Sequence, residues 1–173
     1  MLGKWTGTLV LTLAAGLGGC ADATKPEQPT FYRSMASAGA QLDANAAASM
    51  ISGYRANNGL PPVSLDPALM RLAEAQARAM ADRDRISHNP GGAAFIERLR
   101  RSGYDAKVAA ENISAGYHSL AEAFSGWRDS PPHRANMLLT GADRMGIAAI
   151  YAPGSKYKVF WALIMATPGE KRG

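Results

Sequence analysis

The side chains best suited to form a reactive or binding site in this 173-residue sequence are His88, Glu111, Ser130 and His133. An unperturbed imidazole titrates near pH 6.5, so each histidine can serve as acid, base or metal ligand. Glu111 stands in Ala109-Ala110-Glu111-Asn112-Ile113. A carboxylate set in apolar sequence is costly to bury without a partner, and a histidine is a natural one. Two neutral imidazoles, His88 and His133, with Glu111 would suit Zn²⁺ and leave one position for water. There is no compact HExxH motif, so these ligand types stand far apart in the chain. A metal-free hydrolase would use Glu111 or a histidine as base and Ser130 as nucleophile. Ser130 also precedes Pro131, where its hydroxyl can cap the following turn. His118, the third histidine, is expected to be exposed on a loop before a cap at Ser119.

A second kind of chemistry belongs to Cys20, the only cysteine in the chain. Lys4 supplies a positive start, and residues 8–17 form an apolar run too short to span a bilayer comfortably. The run ends in Leu17-Gly18-Gly19-Cys20, which resembles a bacterial lipobox. The resemblance implies cleavage of residues 1–19 and acylation of Cys20, giving an anchor to a membrane. Ala21, rather than Asp, follows the cysteine and leans the expected address toward the outer membrane, facing the periplasm. One cysteine excludes an intrachain disulfide, and a zinc finger or iron–sulfur cluster built from cysteines of this chain.

The elements that must position these groups are readable in outline. Residues 20–42 are rich in Ala, Ser and Pro and are expected to form a tether, with local order near Phe31-Tyr32. A domain is expected over 43–168, with a short tail at 169–173. Asp43 can cap a helix to about Asn58, with Ala47, Met50, Ile51 and Tyr54 as its apolar stripe. Asp66 and Pro67 open a second helix, expected to reach Arg85, with Leu65 and Met70 placed as a hydrophobic staple. Leu69, Leu72, Ala73, Ala77 and Met80 line one of its faces. A third helix is expected over 93–102, burying Phe95, Ile96 and Leu99. Residues 107–117 read as a strand. A fourth helix spans 120–128 with Phe124 and Trp127 inward, then a break at 130–133 and a helical turn at 136–139. Residues 144–151 and 157–166 read as a hairpin around Pro153-Gly154-Ser155. Both faces of both runs are apolar, as in strands covered on each side. The fold class that follows is α+β: a three-layer α/β/α sandwich around a mainly antiparallel sheet.

Composition narrows the function classes. With 47% hydrophobic and 19% charged residues, the chain is neither disordered nor polytopic in a membrane. The formal charge of +5 is mild and spread out. Its densest cluster, Arg98, Arg100 and Arg101, reads as a solvated helix face rather than a nucleic-acid surface. Attraction to anionic lipid or acidic wall polymers fits the same charge. Glu97 is expected to pair with Arg101 across one helical turn.

Four ordered segments carry a family resemblance: Ile86-Ser87-His88; Ala110-Glu111-Asn112-Ile113; Gly126-Trp127 through Met137-Leu138, including Ser130-Pro131-Pro132-His133; and Phe160-Trp161-Ala162. Together they resemble a bacterial member of the CAP superfamily of cysteine-rich secretory, antigen 5 and pathogenesis-related proteins, over roughly residues 43–167. The resemblance implies an α/β/α sandwich and a cleft of two histidines and two glutamates. His88 resembles the first histidine, Glu111 the first glutamate and His133 the second histidine. The second glutamate would fall near Ser130, and Pro132 stands where bacterial members often carry Gly. Some members bind divalent metal, lipids or sterols, and no general enzymatic activity is implied. Three readings follow. The chain is a membrane-anchored envelope module whose cleft binds a lipid or cell-wall ligand, with Tyr104 and Tyr117 as wall residues. Alternatively, the His–Glu network only stabilises a protein-interaction domain. Finally, the cleft is a divalent-metal-dependent hydrolase. An open cleft favours binding or hydrolysis, and full burial favours the structural reading.

Overall fold

The computed structural model describes residues 28–169 and the isolated Gly3. Cys20, the apolar run before it and the last four residues lie outside the described residues. Five helices and four strands follow in order: α1 (Ala44–Ala56), β1 (Ser64–Leu65), α2 (Pro67–Ala81), α3 (Phe95–Arg101), β2 (Ala106–Ala115), α4 (Leu120–Asp129), α5 (Pro131–Met137), β3 (Arg144–Tyr151) and β4 (Val159–Pro168). The strands form one sheet in the order β1-β3-β4-β2. The β3–β4 and β4–β2 pairs are antiparallel, and the β1–β3 pair is parallel. Strand β2 is therefore an edge strand, and that position shapes the site.

Local chemistry sets the helix starts. Asp43 accepts from the Ala46 N–H at 2.9 Å and from the Thr30 hydroxyl at 2.8 Å. One carboxylate thus caps α1 and ties down the 3₁₀ turn Thr30–Tyr32. Asp66 accepts from the N–H groups of Ala68 and Leu69, with Pro67 at the first helical position. Ser119 and Glu122 form a reciprocal capping box at the start of α4.

The two faces of the sheet carry separate cores. On one, α1, α4 and α5 place Ile51, Trp127 and Met137 against Ile147, Trp161, Leu163 and Met165. On the other, α2 and α3 place Leu69, Ala73, Ala77, Met80 and Leu99 against Ala148, Phe160, Ala162 and Ile164. Residues 159–166 of β4 are all buried, as expected for a strand covered on both faces. The expected three-layer α/β/α sandwich is the observed fold.

Several local expectations differ from the structure, each for a physical reason. Helix α2 stops at Ala81, before Arg85, because Asp84 takes a left-handed conformation (φ 45°). Its carboxylate accepts a hydrogen bond from Ser155 in the β3–β4 hairpin. Ile96 is exposed rather than buried, because α3 has two turns and turns only the Phe95–Leu99 side inward. The break expected at 130–133 is the start of α5: Pro131 has no N–H to lose in a first helical turn. Packing also reaches upstream of Asp43. Met35 is buried in the α1/α4/α5 core, and its N–H donates to the His118 carbonyl at 2.6 Å.

Candidate functional site

Adjacent residues of a strand point to opposite faces, and β2 uses this to build two halves of one site. Glu111 faces the α2/α3 layer. Its Oε1 lies 2.9 Å from His88 Nδ1, and its Oε2 accepts from Arg98 Nη2 at 2.6 Å. The Glu111 side chain is 1% exposed, Arg98 18% and His88 56%. A carboxylate can only accept, so His88 Nδ1 carries the proton and Nε2 is left free. Arg98 also donates to the His88 carbonyl at 3.2 Å, fixing the loop after α2.

Asn112 faces the α4/α5 layer. Its Nδ2 donates to the His133 carbonyl at 2.9 Å. Asn136 Nδ2 donates to Asn112 Oδ1 at 2.9 Å and to the Glu111 carbonyl at 3.2 Å. These bonds lock α5 across the β2 edge and hold His133 close enough to His88 for the two rings to interact electrostatically. Burial pulls the His133 imidazole below its ordinary value of 6.5, and the nearby His88 adds to the shift. His88, Glu111 and His133, more than twenty residues apart pairwise in sequence, therefore converge at one edge of the sheet.

The lowered His133 value makes a pH prediction. As pH falls through 6.5, the unfolded chain takes up this proton before the folded chain does. Stability present above 6.5 is then lost toward the folded value. His133→Gln removes the titration, so its melting temperature should fall less than wild type between pH 7.5 and 5.5. Parallel profiles for the two proteins would refute the assignment.

Other site expectations are corrected. Ser130 occupies the N-cap position of α5, but its side chain makes no cap hydrogen bond. Among the described residues its hydroxyl has no hydrogen bond to His88, Glu111 or His133. Tyr104 is not a cleft wall. It lies at the far end of α2, where burial, then Asp66 and Asp143, push its phenol up to about 12. Tyr117 packs its ring over Gly126 of α4, and its carbonyl accepts from Trp161 Nε1 at 2.8 Å. His118 is exposed as expected, and Arg101 pairs with Glu97. Arg98 does not belong to a solvated face: it is the cation that partners the buried Glu111. The apolar setting of Glu111 announced the need for such a partner, but nothing local pointed to Arg98.

The donor set bears on the expected metal. Both Glu111 oxygens are engaged, one by a guanidinium that a metal would have to displace. Among the described residues, no group of three His, Cys, Asp or Glu side chains is arranged to hold an ion. The three-ligand zinc arrangement does not fit the site as it stands. What the geometry provides is a buried Glu111–Arg98 ion pair that holds an exposed His88 ring, with His133 near enough to interact electrostatically with it.

A three-layer sandwich with His88 and His133 near one edge of its sheet is the arrangement that the family resemblance implied. The family model described as CAP, Cysteine-rich secretory protein family, matches residues 48–165, and the chain belongs to that family. Protein YkwD of Bacillus subtilis (strain 168), itself uncharacterized, is 26% identical over 102 residues, which are 58% of this chain and 40% of YkwD. The chain thus spans less than half the length of that relative. An outer surface protein from Borrelia burgdorferi superposes with a TM-score of 0.66 at 18% identity, over 73% of this chain and 93% of that one. An extracellular protein containing an SCP domain from Bacillus anthracis gives 0.62 at 23% identity, over 70% of this chain and 39% of that one. At these identities the likeness shows the shared fold.

Proposed function

We propose that this protein is a binding module of the bacterial envelope, held to a membrane through acylated Cys20, with its ligand in the cleft between His88 and His133. The ligand class is a lipid or a cell-wall fragment. The carrying observation is the division of labour at the site. Glu111 is fully engaged and buried, while the His88 ring it orients is 56% exposed. A purely structural network would bury both partners. An exposed imidazole on a rigid support is preorganised for a ligand. The outer-surface and extracellular descriptions of two structural relatives, together with the lipobox, support an extracytoplasmic place. Ala21 after the cysteine supports the outer membrane.

The three histidines make the test compact. Ring signals of the full chain should be followed by NMR while wall fragments or anionic vesicles are added. His88 and His133 should shift, and His118, exposed elsewhere, serves as the internal control. Equal response of all three, or of none, would reject the cleft. Cys20→Ser should move the protein from the membrane to the soluble fraction. Retention of an acyl mass on that variant would reject the anchor.

A further inference from the structure

The turn Thr30–Tyr32 presents an aromatic pair at the domain surface. Tyr32 is 53% exposed, the most exposed of the large hydrophobic side chains described. Its ring packs on that of Phe31, with centroids 4.6 Å apart. Phe31, Pro29, Ala46 and Met50 line an apolar groove of about 460 Å³ between this turn and α1. The Met35 N–H bond to the His118 carbonyl holds the segment at one end of the sheet. There β2 ends and β4 begins, with the Gly116 N–H donating to the Val159 carbonyl at 3.0 Å. The β3–β4 connection lies at this end too and carries the exposed Lys156 and Lys158. The hydrogen bond from Ser155 to Asp84 brings the exposed Arg83 and Arg85 beside it. Three nearby carboxylates are already engaged by donors of the protein: Asp43 by Thr30 and Ala46, Asp84 by Ser155, and Glu122 by the His118 and Ser119 N–H groups. Asp82 is the fourth. This end of the sandwich thus joins an aromatic turn to a cationic rim.

We infer that this end is the face on which the domain rests on an anionic phospholipid bilayer. The Tyr32 and Phe31 rings sit at the headgroup boundary, with Arg83, Arg85, Lys156 and Lys158 against lipid phosphates. The inference rests on the anchor proposed at Cys20. Pro29, at the groove, is nine residues after Cys20. Even fully extended, that length of chain spans about 30 Å, less than the roughly 35 Å width of a domain this size. The anchor therefore draws the Pro29 end toward the bilayer, and even a weak surface contact becomes intramolecular. A tyrosine ring has an apolar body and a polar tip, the combination that settles at a membrane boundary. Basic side chains beside it gain from anionic headgroups. A bilayer, unlike a protein partner, needs no shape complementarity, so a protruding aromatic pair beside a cationic rim suffices.

The acylated chain in nanodiscs of phosphatidylethanolamine and phosphatidylglycerol tests this by NMR, with a lipid carrying a nitroxide at its headgroup. Amide signals of residues 30–33 and 153–158 should broaden strongly. Those of Ser64 and Leu65, at the other end of the sheet, should stay sharp. Tyr32→Ser, and separately Arg83→Glu with Lys156→Glu, should remove most of the broadening at both segments while the anchor keeps the protein on the disc. All three positions are exposed, so the melting temperature should hold. Broadening of another face, or of the whole domain evenly, in an acylated chain would overturn the docking face and leave the anchor standing. A chain without an acyl group that shows the same footprint on phosphatidylglycerol vesicles would overturn the anchor and support the face. Self-association that Tyr32→Ser abolishes, with no broadening by lipid, would give the turn to a second copy and overturn the proposal.

Discussion

Arg55→Met is expected to destabilise the fold by about 3 kcal/mol or more, because several carbonyls lose a charged donor together and a buried group left unmet costs roughly 1–3 kcal/mol. Arg55 sits on α1 and is fully buried, and its hydrogen bonds among the described residues all go to backbone carbonyls. Its Nε donates to the Pro61 carbonyl at 2.9 Å, Nη1 to Met137 at 2.9 Å and Leu139 at 3.1 Å, and Nη2 to Ala142 at 2.8 Å. Met137 is the last residue of α5 and Leu139 follows its cap, where carbonyls lack partners within the helix. A guanidinium there meets the orphan carbonyls and the negative end of the helix dipole at once. Methionine fills much of the volume but donates nothing, so four carbonyls lose a partner together. Arg55→Lys keeps the charge without the planar fork and should recover less than half of the loss. Urea unfolding measures both. A cost below about 1 kcal/mol for Arg55→Met would show that water replaces the guanidinium freely. The consequence reaches the cleft, because α5 also carries His133 and Asn136. Loosening its end should broaden the His133 ring signal while His118 stays sharp.

Arg55 also shows where reading from the sequence stops. The helix starts at Asp43, Asp66 and Ser119 depend on side chains within three residues of the backbone they cap, and the structure places all three as expected. The hairpin strands are continuous apolar runs, so their burial on both faces follows directly. Arg55, by contrast, follows the predicted apolar residues Ile51 and Tyr54 of α1, and its acceptors lie as far as 87 residues away. No local pattern distinguishes it from an arginine in water. Arg98 escapes a sequence reading for the same reason: its partner Glu111 is 13 residues off, on an edge strand. Gln76 falls on the buried row Leu69–Ala73–Gln76–Met80, a helical spacing that could have flagged it, but its polarity hid it. Convergence of His88 with His133 is implied by family resemblance alone. It rests on the crossing of α5 over the β2 edge, a tertiary contact that periodicity does not encode.

Gly146→Ala should be among the most damaging single-methyl additions to this protein. Gly146 lies in β3, directly beneath the first turn of α2. A Cβ built on it would overlap the Leu69 backbone carbonyl and the Met70 nitrogen. Overpacking a core costs typically 1–3 kcal/mol when side chains can adjust. Here the obstacle is backbone within a helix, which cannot rotate away, so about 3 kcal/mol or more is expected. The close approach is general to this layer, where Ala73 and Ala77 of α2 pack with Ala148 of β3 and Ala162 of β4. Gly53→Ala provides the contrast. Gly53 is exposed in α1 and meets nothing within 4 Å, so the same methyl should stabilise by about 0.5–1 kcal/mol through helix propensity. The two variants together separate crowding from backbone entropy. Calorimetric melting of both checks the signs, and a Gly146→Ala cost under about 1 kcal/mol would mean that α2 slides on the sheet with little penalty. Such sliding would not stay local. Gln76 of α2 holds the Ser87 carbonyl next to His88, so a displaced α2 carries one wall of the cleft with it. Gly146→Ala should therefore shift the His88 ring signal under conditions where the protein remains folded, whereas Gly53→Ala should leave it in place.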